Sequence, residues 1–183
     1  MIGVRPARTA DAAAIGAVHV AAWRSAYPAI LPPGFLTNLS AARQAVNYDA
    51  AIRMGRGVFV AVASGRDLAV AGGPRVVGFA TGGQARRTGL GEGEIETLYV
   101  LDDYRDHGVG RRLLRALAGS LRDERCASAF VWVLRDNPAR FFYAHLGGTL
   151  AAEEPITFAG AHLVQSAYRW DPIDRLLEAT APA

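Results

Sequence analysis

Tyr99-Val100-Leu101-Asp102-Asp103-Tyr104-Arg105-Asp106-His107-Gly108-Val109-Gly110-Arg111-Arg112-Leu113-Leu114 is the stretch from which the rest of the chain can be read. An apolar strand ends, a charged turn follows, and two glycines open a helix. The first amides of that helix have no acceptor within it, so they and the positive helix end can take phosphate oxygens. Gly108 and Gly110 let a ligand approach the backbone, and Arg105, His107, Arg111 and Arg112 offer further donors. Taken alone, a Gly-x-Gly more often marks a glycine turn before an ordinary surface helix. Two other phosphate loops do not fit: no third glycine follows at the dinucleotide spacing, and no Lys-Ser/Thr pair follows as in a P-loop.

Working outward, the strand that feeds the turn covers Glu94–Leu101. The helix that leaves it carries Val109, Leu113, Leu114, Leu117 and Leu121 along one face. Ala127–Leu134 is apolar at both alternating sets of positions, which predicts a central strand covered from both sides. Asn137 and Pro138 then open a short helix that Gly147 stops. Upstream, Ile2–Arg5 predicts a strand and Thr9 the N-cap of a helix running to about Trp23, with Asp11 in its first turn. Ser40 predicts the cap of a helix over Ala41–Met54. Val58–Ala63 and Arg75–Ala80 read as an antiparallel pair joined through Gly72, Gly73 and Pro74. Leu150–Phe158 and His162–Trp170 predict a closing hairpin, and little after Pro172 demands order.

A second block, Val131-Trp132-Val133-Leu134-Arg135-Asp136-Asn137-Pro138-Ala139-Arg140-Phe141-Phe142-Tyr143-Ala144-His145-Leu146-Gly147, follows the glycine turn at a set distance. Together the two blocks resemble the GNAT acetyltransferase superfamily. Its acyl-CoA signature is a hydrophobic strand followed by Arg or Gln, two free positions, Gly, one free position, then Gly or Ala. Arg105, Gly108 and Gly110 match it, and the resemblance is strongest over Glu94–Gly147. It implies a single α/β (α+β) domain over residues 1–171 with a tail at 172–183: a mixed, mostly antiparallel sheet with helices on both faces. The sheet is splayed between the Glu94–Leu101 and Ala127–Leu134 strands to admit acyl-CoA. Acetyl-CoA is the implied co-substrate, and the implied reaction is direct acetyl transfer to an amine of a small molecule, protein or peptide. By the same resemblance, Leu98, Tyr99 and Val100 offer main-chain hydrogen bonds to the pantetheine arm or thioester. Arg105, Asp106, His107, Gly108, Val109, Gly110 and Arg111 surround the pyrophosphate, and Asn137 contacts the arm. Local sequence also assigns Asn137 to simple helix capping.

An amine that attacks a thioester expels a thiolate, and a phenol beside the sulfur can protonate it, which singles out Tyr143. Core packing is the other reading of Tyr143, and it is the only one for Phe141 and Phe142. The amine arrives as an ammonium and must lose a proton. Glu94 and Glu96, two apart on one strand, share a face under regular alternation and can take that proton through water; a solvated strand face reads the same way, and a bulge would change the parity. Trp23 and Tyr27, in the segment up to Leu39, stand where related enzymes build a substrate wall, and a packed lid is the alternative. Trp132 replaces the acid that some relatives carry on that strand. Gly148 replaces an aromatic that often follows the Leu-Gly pair, which predicts looser packing there.

Composition narrows the remaining classes. The chain has 183 residues, 51% of them hydrophobic, which suits one domain with a substantial core. Its one cysteine, Cys126, excludes an intramolecular disulfide and lies away from any obvious base. The four histidines are dispersed, and no Cys/His cluster has zinc spacing, so no metal is expected. A net charge of +3 with scattered arginines argues against nucleic acid as the main partner. No stretch approaches the roughly 18 apolar residues of a spanning helix, so no membrane partner is expected and the cytoplasm is the expected location. A homodimer stays open. The rival to an enzyme is a non-catalytic acyl-CoA-binding sensor that keeps the phosphate loop.

Overall fold

The structure, a computed structural model, describes residues 1–65 and 75–182. Strand β1 (Ile2–Pro6) leads through a turn at Thr9–Asp11 into α1 (Ala12–Ala26), followed by α2 (Pro33–Thr37) and α3 (Ala41–Arg53). Strands β2 (Gly57–Ala63), β3 (Arg75–Gln84) and β4 (Gly93–Val100) precede α4 (Val109–Asp123). The chain continues through β5 (Ala129–Leu134), α5 (Ala139–His145), β6 (Thr149–Phe158), β7 (Ala161–Trp170) and α6 (Asp174–Ala179). The Gly72-Gly73-Pro74 connection lies outside the described residues.

The strands form one sheet in the order β1-β2-β3-β4-β5-β7-β6. Every neighbouring pair is antiparallel except β4 and β5. Strand alternation sends residues to two cores. Ala61, Val77, Ile95 and Val131 meet the leucine stripe of α4, in which Leu113, Leu114, Leu117 and Leu121 are fully buried. Val58, Val60, Val76 and Phe79 meet Ile15, Val18 and Tyr48 of α1 and α3 on the opposite face. Each fully buried leucine contributes on the order of 2 kcal/mol, so the α4 stripe anchors the glycine turn at its start. No helix among the described residues is long and apolar enough to cross a membrane.

Local chemistry departs from the sequence reading at four places. Asp11, not Thr9, organises the entry to α1: its carboxylate accepts the Arg8 N–H at 2.7 Å and two bonds from Arg5 at 2.7 and 2.9 Å. The Ser40 cap holds, with its hydroxyl accepting the Arg43 N–H at 3.2 Å. Gly148 leaves no looseness, because a Cβ there would lie 2.9 Å from the Trp170 ring and 2.9 Å from the Tyr143 carbonyl. The buried Trp170 has taken the place of the expected aromatic, and its indole N–H donates to the Leu146 carbonyl at 2.8 Å. Phe141 is 63% exposed under the Arg140 guanidinium, while Phe142 alone packs on the core as expected. The segment after Pro172 is ordered: Ile173 and Leu176 enter the main core, and Arg115 donates to the Leu177 carbonyl at 2.7 Å. Three apolar residues in five positions (Ile173, Leu176, Leu177) sufficed to dock a short helix on α4.

Candidate active site

The sheet opens where the two strands beside the glycine turn part. β4 and β5 pair only from Gly93 to Ile95 and from Ala129 to Val131. Beyond that point β4 stays with β3 as far as Val100, and β5 stays with β7 as far as Leu134. Antiparallel bonding fixes which groups face the gap. Leu101 donates to Val77 of β3, and Arg135 donates to Val164 of β7, each at 2.9 Å. The alternate residues Leu98 and Val100 on one side, and Trp132 and Leu134 on the other, therefore turn their main-chain groups into the opening. Tyr99 does not: its amide and carbonyl pair with Phe79.

A bulge in β4 sets the side chains. Thr97 is opposite Thr81 and Ile95 is opposite Gly82, so Glu96 has no partner on β3. Parity reverses after it, and Leu98 and Val100 join Ile95 on the α4 face while Tyr99 turns toward α1. Glu94 sits where β4 and β5 are still paired, opposite Phe130, and does not line the opening. Glu96 does line it. Its carboxylate is already engaged by Arg56, and by Arg86 at 3.3 Å.

The opening is a cavity of about 1090 Å³ that brings together most of the expected site residues. Trp23, Tyr27, Glu96, Leu98, Tyr99, Val100, Asn137 and Tyr143 line it, as do Arg105, Asp106, Gly108, Val109, Gly110 and Arg111 at its far end. None of the amides from Asp106 to Arg111 has a backbone acceptor among the described residues, and Gly108 adopts φ 67° to turn them outward. At Gly110 an added Cβ would touch nothing nearer than the Phe142 ring at 3.4 Å, so packing alone does not require glycine. This end fits a pyrophosphate: a row of free N–H groups, two arginines and space close to the backbone. His107 is turned away from the cavity, with Nδ1 2.6 Å from the Arg105 carbonyl. Arg111 donates to the Ala181 carbonyl at 2.8 Å, and Arg112 to that of Ile2 at 2.7 Å.

Tyr143, also in the lining, is buried between Phe142 and Trp170 and makes no hydrogen bond among the described residues. Burial, with Tyr27 nearby, raises its pKa and keeps the phenol protonated. Tyr27 is also raised by burial. Its hydroxyl accepts from Asn137 Nδ2 at 3.1 Å, while Asn137 Oδ1 accepts the Ala139 N–H at 2.9 Å. Asn137 thus opens α5 and ties it to α1 with one side chain. His19 lies outside the lining, in hydrogen-bond contact with the Tyr48 hydroxyl at 2.7 Å, and burial lowers its pKa to about 4. Cys126 is buried away from the cavity, with a pKa raised by that burial.

Several lining residues escaped the sequence reading. Ile156, Phe158 and Gln165 come from the β6–β7 hairpin, and Ala179 comes from α6. The alternation of β6 showed that Ile156 and Phe158 share a face, but nothing local showed what that face covers.

Comparison with known proteins agrees with this geometry. The acetyltransferase (GNAT) family profile matches residues 22–147. The chain is 32% identical over 177 residues to the uncharacterized N-acetyltransferase YuaI of Bacillus subtilis, covering 96% of both proteins. Its fold is similar to the crystal structure of a Staphylococcus aureus N-acetyltransferase, with a TM-score of 0.70 at 19% identity over 93% of this chain and 98% of that one. It is similar also to yncA of Salmonella typhimurium, solved with its cofactor acetyl-CoA: TM-score 0.67 and 22% identity over 93% of each chain. With its strand–glycine-loop–helix signature, its parted strands and a family match across most of its length, this chain belongs to the GNAT acetyltransferase family.

Proposed function

We propose that this enzyme transfers the acetyl group of acetyl-CoA directly to an amine of a small molecule or a peptide. One observation carries the reading: the main-chain groups of Leu98 and Val100 face a gap that runs unbroken to the free amides of residues 106–111. An extended arm ending in phosphates matches that run of donors and acceptors. In this reading Arg105, Gly108, Gly110 and Arg111 hold the pyrophosphate, and Leu98 and Val100 align the arm. Asn137 keeps α5 at the distance that places Tyr143 beside the sulfur.

Acetyl-CoA supplies the activated acyl group. The new bond joins the acceptor nitrogen to the acetyl carbon, and the bond from that carbon to sulfur breaks. Tyr143, protonated and without a protein partner, donates its hydrogen to the departing thiolate. The proton lost by nitrogen passes into water, with Glu96 as the lining carboxylate outside the glycine loop, and water returns one proton to the Tyr143 phenolate. Because Arg56 and Arg86 already hold that carboxylate, Glu96 acts as a relay point and not as a free base. Glu94, below the split, takes no part.

The test is calorimetric titration of the protein with acetyl-CoA, followed by thiol release in the presence of a primary amine. Saturable binding and amine-dependent release are expected. Absence of binding at millimolar acetyl-CoA refutes the assignment of the cavity, and binding without turnover on a broad amine panel leaves only a sensor.

A further inference from the structure

Resting on the acetyl-transfer reading, we infer that the acceptor is a primary amine carried on an apolar, ring-bearing body with no carboxylate of its own. Three elements far apart in sequence bring their rings together on the α1 side of the cavity. Trp23 of α1 lies 6.0 Å from Phe35 of α2 and 5.9 Å from Phe158 at the end of β6, and Phe35 and Phe158 are 5.2 Å apart between ring centroids. Tyr27 adds a fourth ring 4.8 Å from Trp23. Trp23, Tyr27 and Phe158 line the cavity, together with Trp132 from β5. Phe158 is 36% exposed beside the hairpin turn, a position where a polar residue would cost nothing if the ring had no apolar neighbour to cover.

The charges point the same way. Of the charged side chains that line the cavity, Arg105, Asp106 and Arg111 belong to the glycine loop, at the phosphate end. On the α1 and α3 side the lining has one formal charge among the described residues, Glu96, and Arg56 and Arg86 occupy it. Arg87, nearby through Glu154, is likewise paired, at 3.2 Å. A carboxylate on the acceptor would enter a ring-lined space where, among the described residues, the one charged lining side chain is the Glu96 carboxylate and no cation lines the wall, which is unfavourable. An ammonium beside the faces of Trp23 and Tyr27 is favoured, as is an apolar ring packed against the Trp23 and Phe158 pair.

Three amines separate the features: 2-phenylethylamine, phenylalanine, which adds a carboxylate to the same body, and ethylamine, which lacks the ring. At saturating acetyl-CoA and equal free-amine concentration, kcat/KM for 2-phenylethylamine should exceed both others by about tenfold or more, the factor expected from burying a ring. Phe158→Ala, checked for an unchanged acetyl-CoA affinity, should cut the preference over ethylamine by about tenfold through KM. Equal or better use of phenylalanine or ethylamine, acetylation of none of the three, or an unaltered preference in Phe158→Ala overturns the inference. Calorimetry with acetyl-CoA on the same preparations keeps the two levels apart. Loss of cofactor binding would refute acetyl transfer itself, whereas binding with the wrong amine order refutes only this acceptor class.

Discussion

A single oxygen atom separates the two readings of Tyr143. Its ring is held edge-on by Trp170 and Phe142, at centroid distances of 6.2 and 5.6 Å, and those contacts do not need the hydroxyl. Tyr143→Phe should therefore leave the fold and acetyl-CoA affinity intact while lowering the rate of acetyl transfer about a hundredfold. Single-turnover measurement isolates the chemical step; an unchanged rate removes the phenol from the mechanism, and a lost affinity makes it a binding residue. Asp11 offers a test of stability. Hydrogen bonding from Arg5, then from the Arg8 N–H, holds its carboxyl below the usual carboxylate range against the opposing effect of burial. An unfolded chain titrates Asp near about pH 3.9, so the stabilisation is complete above that pH and is lost as pH falls through the lower folded value. Asp11→Asn should cost about 1 kcal/mol at neutral pH, and the gap in urea midpoint should close as pH drops below about 4. A gap that stays constant with pH would mean that the carboxylate's charge is not what organises the turn.

Elements carry the next level of prediction, beginning with the start of α4. Gly108 has φ 67°, a conformation in which a β-branched residue is strained, so Gly108→Val should destabilise by roughly 1–3 kcal/mol and confuse any binding assay. Gly110→Ala is the cleaner probe. Its Cβ meets only an ordinary contact at 3.4 Å and sits in the first turn of a helix that favours alanine. The melting temperature should hold or rise while acetyl-CoA binds about tenfold more weakly, because the methyl group occupies the ligand's approach to the backbone. Wild-type affinity in Gly110→Ala would place the phosphates elsewhere. At the other end of the chain, α6 looks dispensable by sequence and is not by packing. Leu176 is fully buried in the main core, so Leu176→Ala should cost about 2–5 kcal/mol, read as a lowered urea midpoint. A change under about 0.5 kcal/mol would make the helix an appendage.

For the molecule as a whole, a ligand that bridges both halves of the split sheet should stabilise it globally. At a hundredfold excess over its dissociation constant, acetyl-CoA should add about 2.7 kcal/mol, or roughly 5–10 °C in melting temperature for a chain of this size. A melting temperature that ignores saturating ligand would contradict a site spanning β4 and β5. Much of this architecture was legible beforehand. The α4 stripe, the Ser40 cap, the strand periods and the Arg105–Gly110 turn depend on neighbours within a few positions, so their chemistry is written locally. The bulge at Glu96 was not legible, since it follows from pairing with β3, where Gly82 admits the close approach of the Glu94 carbonyl that any Cβ would block. Nor was the engagement of Glu96 by Arg56 and Arg86, or the meeting of Trp23 with Phe158. The sequence by itself determined most of the elements, the glycine turn and the family. Only the tertiary structure decided which face of each strand meets the cavity, which carboxylate lines it and what rings wall it. Those depend on register and on contacts between distant segments, whose free energy appears only once the sheet has assembled.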